Sequence, residues 1–138
     1  EGFSCAQALL AVYGPALGMD RETALKIAGG FGSGMGRMAG ICGAVTGAFM
    51  VIGLVHGMTK EGDQKQKEIS YELVRRFAGK FRERNRTLEC RELMGVDVST
   101  PGGLAVASEK NIFRTVCPKY VRDAAEILEE LLADSLGK

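Results

Sequence analysis

Apolar residues recur along this chain at helical spacing, and no alternating run is long enough for a convincing strand. Ser4-Cys5-Ala6-Gln7 reads as a capping box, so a first helix starts there and stops at Gly14-Pro15. Asp20 caps a second helix that runs through Ala28 and ends at Gly29-Gly30. Met38 to Val55 carries no charge and only one hydroxyl, Thr46, which predicts a buried central helix. A polar linker over 58–67 follows it. Ile69, Leu73, Phe77 and Phe81 then form a stripe at spacing four, widened by Val74 and Ala78. Thr87 predicts a short helix over 88–94, closed by Gly95, and Thr100-Pro101 opens another. Val121, Ala124, Ala125, Leu128, Leu131 and Leu132 mark a last helix from Pro118 to about Asp134. The expectation is one all-α domain over 1–138, a compact bundle of about five to seven helices around the glycine-rich apolar helix.

Two segments invite other readings. Gly29, Gly30, Gly32, Gly34, Gly36 and Gly40 crowd one connector. It follows a helix rather than a strand and lacks a Gly-Lys-Ser/Thr ending, so neither a dinucleotide fold nor a nucleotide phosphate loop is indicated. It reads as a flexible loop permitting close backbone approach, or as amides facing an anion. The eighteen residues from Met38 to Val55 touch the lower limit for a membrane span. Their many Gly and Ala residues, with Gly43 and Gly47 as crossing points, favour a packed helix, and no membrane insertion is expected.

Composition narrows the function. Eighteen Lys plus Arg oppose 17 Asp plus Glu, aromatics make up 7%, and there is no Trp. A nucleic-acid binder would carry a basic excess and stacking rings, so that class is not expected. Length and hydrophobic content suffice for a core without disulfide staples. Nothing reads as a secretory signal, although the chain opens at Glu1, and a cytoplasmic location is expected.

The four cysteines carry the chemistry. Cys5, Cys42, Cys90 and Cys117 are separated by 37, 48 and 27 positions, so there is no CxxC, no zinc-ribbon spacing and no CxxCH for covalent haem. Placed on the expected helices, however, all four fall at or near N-termini. Free amides and the helix dipole favour a thiolate there. Arg37, Arg91 and Lys119 lie close in sequence and are candidates to add positive potential. A single cysteine is commonly a small buried hydrophobe. Four at helix starts point instead to one shared thiol site.

These residues also carry a resemblance. Cys5 in an early helix, Cys42-Gly43-Ala44-Val45-Thr46-Gly47, Cys90-Arg91-Glu92-Leu93 and Cys117-Pro118 resemble the four-cysteine CGAxxG family, whose members are described as redox-active. Gly-Met-Gly-Arg-Met ahead of the second cysteine adds to the likeness, which covers nearly the whole chain. A similar helical domain occurs in split-Soret cytochromes, where the corresponding cysteines are thought to hold an iron–sulfur cluster. This chain has no haem-attachment motif, so haem function does not carry over. The resemblance implies Cys5, Cys42, Cys90 and Cys117 as the site, with Gly43 and Gly47 as close-approach residues. Four thiolates suit a [2Fe–2S] or [4Fe–4S] cluster and equally a structural zinc.

Three readings compete. The first is an electron-transfer protein with a cysteine-ligated cluster or other metal. The second is a thiol–disulfide protein, and the third a structural or transport-accessory domain with zinc or no metal. His56 alone cannot make a Rieske-type site, which needs two His, and reads as a helix-end residue. Lys60 to Arg86 holds nine basic and five acidic residues, a solvated helix face or a docking face for an acidic redox partner protein. Glycine-rich apolar helices also suggest a homodimer.

Overall fold

The computed structural model describes residues 3–133. In chain order the helices are α1 (Cys5–Tyr13), α2 (Arg21–Ala28), the single turn α3 (Gly32–Met35), α4 (Gly43–His56), α5 (Gln64–Asn85), α6 (Cys90–Met94), α7 (Pro101–Glu109), α8 (Ile112–Thr115) and α9 (Cys117–Leu131). Short 3₁₀ turns lie at Pro15–Leu17 and Gly29–Phe31. The fold is all-α: among the described residues the sole β pairing is an isolated antiparallel bridge between Ile41 and Glu89.

Local chemistry sets most helix starts. Ser4 accepts from the Gln7 amide while the Gln7 side chain accepts from the Ser4 amide, the expected capping box. Asp20 and Thr100 cap α2 and α7 as their sequence signals predict. Thr87 behaves differently. Its hydroxyl accepts from the Glu89 amide, which delays α6 until Cys90 instead of starting it at 88.

The apolar segment from Met38 splits. Only Gly43–His56 is helical, because the preceding residues turn left-handed. Ser33, Gly34, Met35, Gly36 and Arg37 have consecutive φ values of 55°, 71°, 68°, 61° and 66°, and Ala39 follows at 57°. Each non-glycine residue so placed costs about 1–2 kcal/mol. Gly34 is needed on a second ground, since a Cβ there would lie 2.5 Å from the Gly40 nitrogen.

Helix α4 is the centre of the larger core. Its Ala44, Val45, Ala48, Val51 and Ile52 are fully buried against α1, α5 and α9. The approach of α1 is closest: a Cβ on Gly47 would meet the Ala6 Cα and carbonyl oxygen at 3.0 Å, and one on Gly43 the Ala6 nitrogen at 3.0 Å. On α5, Leu73, Phe77 and Phe81 face this core, with the Phe77 and Phe81 rings stacked at 6.0 Å. Ile69 lies on the expected stripe but is exposed. A second, smaller core gathers Ala39, Cys90, Met94, Val98, Ala107 and Ile112 from the left-handed segment and α6–α8.

Candidate functional site: a four-thiol cavity

Each cysteine occupies the start of a helix. Cys5 is the first residue of α1, after the Ser4 cap, and Cys42 is the residue preceding α4. Cys90 opens α6, and Cys117 opens α9 directly ahead of Pro118. Proline at the second position wastes no hydrogen bond, because the first amides of a helix have no internal partner.

The four sequence-distant cysteines meet. All line one cavity of ≈ 90 Å³, with Phe3, Ser33, Gly34, Met94, Phe113 and Tyr120 among the other walls. Among the described residues, no Lys, Arg, His, Asp or Glu belongs to this lining. The cavity sits on the seam between the two cores: Cys5 and Cys42 pack with the larger one, Cys90 and Cys117 with the smaller. None of the four is in a disulfide.

Their protonation is uneven. The Cys5 thiol hydrogen-bonds with both Cys117 and Cys42, and these contacts, together with burial, push its pKa far up. Cys5 therefore keeps its proton. The same contact lowers Cys42 against its burial, and the Ala44 and Val45 amides at the open start of α4 lower it further. Contact with Cys5 also lowers Cys117, opposed by burial and by the charge of Cys42. One S–H cannot serve two acceptors at full strength, so the three thiols titrate together.

Cys90 is set apart. Its Sγ–H is directed to the Met94 sulfur at 3.4 Å, one helical turn on. Burial first, then the negative charges of Cys42 and Cys117, push its pKa up to about 12, with Arg91 acting the other way. Arg91 is the one member of the expected cationic trio that acts on a cysteine. Lys119 instead bonds Asn85 and Asp123.

Sequence reasoning missed Met94 and Tyr120 as site residues. Both follow a cysteine at helical spacing, four after Cys90 and three after Cys117, and that periodicity was the available signal. The Tyr120 hydroxyl donates to the Leu93 carbonyl at 2.8 Å. Tyr120 and Leu93 also line a larger open cleft of ≈ 720 Å³ bordered by Arg82 and Arg86, so they form the partition between cleft and thiols. His56 ends α4, and its carbonyl accepts from the Gln66 side chain.

Over residues 3–131 the chain matches the family described as "Putative redox-active protein (C_GCAxxG_C_C)". The chain belongs to that family. No curated protein and no solved structure matches it. The family's name places Cys directly before Ala, whereas here Gly43 stands between Cys42 and Ala44. That glycine is the one whose Cβ would strike α1 beside Cys5.

For a metal, the donors of this redox-active family member fit in kind and number, since soft thiolates select iron–sulfur clusters or zinc. As placed, the four thiols do not close around a single metal ion. Among the described residues no group of three or more His, Cys, Asp or Glu stands as a ligand set. The thiols are arranged toward one another and, for Cys90, toward Met94.

Proposed function

We propose that the protein is an electron carrier whose redox centre is the four-cysteine cavity, with Cys5, Cys42, Cys90 and Cys117 as thiolate ligands of an iron–sulfur cluster. The observation that carries this reading is the convergence of four cysteines, from four separate helix starts, on one cavity lined by no acidic or basic residue among those described. Helix N-termini offset the negative charge of grouped thiolates, and such a wall suits a site that must hold them away from water. A bound cluster supplies one-electron chemistry. The chain supplies ligands, the amides at the start of α4, and an apolar wall.

A second reading has its own observation, the contact of Cys5 with both Cys42 and Cys117. In that chemistry Cys5 and one neighbour form an S–S bond, release two protons and pass two electrons to a partner disulfide, which becomes a dithiol.

Protein purified without oxygen separates the two. A cluster gives brown protein with iron and acid-labile sulfide, and each of the four Cys→Ser variants loses them to a similar degree. Colourless, iron-free protein that gains a Cys5 disulfide on oxidation would sink the cluster reading and leave the second. Zinc in stoichiometric amount, without colour or disulfide, would defeat both.

A further inference from the structure

Cys42 and Cys90 are joined by more than the cavity. The Cys42 amide donates to the Leu88 carbonyl at 2.8 Å, and the Cys90 amide donates to the Gly40 carbonyl at 2.6 Å. These two bonds flank the Ile41–Glu89 bridge and form a clasp between the two cores. One side of the clasp is the end of the left-handed segment, a backbone its non-glycine residues do not adopt unaided. Backbone bonds within the segment hold part of it, the Ala39 amide to the Ser33 carbonyl and the Gly40 amide to the Gly34 carbonyl among them, and one side chain from outside adds to them. The Arg91 guanidinium does so: Nε donates to the Ala39 carbonyl at 3.1 Å and an Nη to the Met38 carbonyl at 3.4 Å. Its other Nη stands 3.8 Å from Asp97, which orients the fork. Arg91 itself follows Cys90 directly.

We infer that Arg91 is a positioning residue of the redox centre, holding the left-handed segment so that Cys42 and Cys90 keep a fixed separation across the seam. This rests on the reading of the four cysteines as one centre. The role needs a fork rather than a charge, because two consecutive carbonyls are gripped by two nitrogens of one planar group.

The test uses the whole protein with two substitutions, Arg91→Gln and Arg91→Lys. Amide hydrogen exchange should accelerate roughly ten-fold at Gly40, Cys42 and Cys90 in Arg91→Gln, with Phe77 and Leu128 in the larger core unchanged. The midpoint potential of the cysteine centre should shift. Arg91→Lys should reproduce both effects, since it keeps the charge and loses the fork, and it stands in if Arg91→Gln does not fold. Unchanged exchange at the three amides, equal acceleration at Phe77 and Leu128, an unshifted potential, or full rescue by lysine would each overturn the inference. Exchange reads the clasp without reference to metal. Iron-free protein would thus defeat the cluster reading and leave this test standing.

Discussion

Protonation at the cavity turns on which thiol touches which. Cys5 sits between Cys42 and Cys117, so its proton is retained and theirs are released more readily. Cys117 is half-buried and lowered, whereas Cys90 is buried and raised to about 12. Iodoacetamide at neutral pH should consequently modify Cys117 before Cys90, read by peptide mass spectrometry; the reverse order would contradict this assignment. The same shifts have opposite consequences for stability. Cys90 is raised in the folded state, so its contribution is complete below an unfolded thiol pKa of about 8.5 and is lost as pH rises toward 12. The lowered Cys42 and Cys117 contribute above that unfolded value and lose their contribution as pH falls through the folded one. Urea unfolding at pH 7 and pH 10 should show a smaller alkaline loss in Cys90→Ala than in the parent protein.

At the scale of helices, glycines in α4 serve unlike purposes. Gly47 lets α1 approach within Cβ-clash distance, whereas a Cβ on Gly53 would meet nothing within 4 Å. Gly47→Val should cost about 1–3 kcal/mol by overpacking against Ala6. Gly53→Ala should stabilise by about 0.5–1 kcal/mol, because a helix-interior glycine loses more backbone freedom on folding. Urea midpoints of the two variants moving in the same direction would refute this division. Because Gly43 and Gly47 seat α1 on α4, they also decide where Cys5 stands relative to Cys42.

Over the whole molecule, the cavity depends on two cores staying in register. Ile112 is 8% exposed and belongs to the smaller core with Cys90 and Met94. Ile112→Ala should cost about 2–4 kcal/mol through lost burial and a residual void. It should open that core first, accelerating amide exchange over residues 90–116 while α1, α4 and α5 retain theirs. Loss of protection spread evenly over both cores would show that they unfold as one unit. Arg84, ion-paired with Asp123 and Glu126, ties α5 to α9 on the outer face, where exposure limits its stabilisation to a fraction of a kcal/mol.

Helix content, several helix starts and the placement of all four cysteines at those starts were legible from Ser4, Asp20, Thr100, Pro118 and the glycine stops. Capping and periodicity act over three or four residues, so the local sequence carries them. Thr87 marked the approach to α6 but not its first residue, because its hydroxyl bonds Glu89 before the helix turns. The left-handed run from Ser33 to Arg37 was invisible as a conformation. Ser, Met and Arg do not prefer it, and it persists through the tight local Gly34–Gly40 contact together with Arg91, which is supplied from a distant helix. The split of the apolar segment at Gly43 follows from that run. Above all, no spacing of 37, 48 and 27 positions states that four sulfurs share a cavity. That is decided when Gly43 and Gly47 admit α1, and when the Ile41–Glu89 clasp brings the smaller core against the larger one. Such long-range packing belongs to no single segment of the sequence.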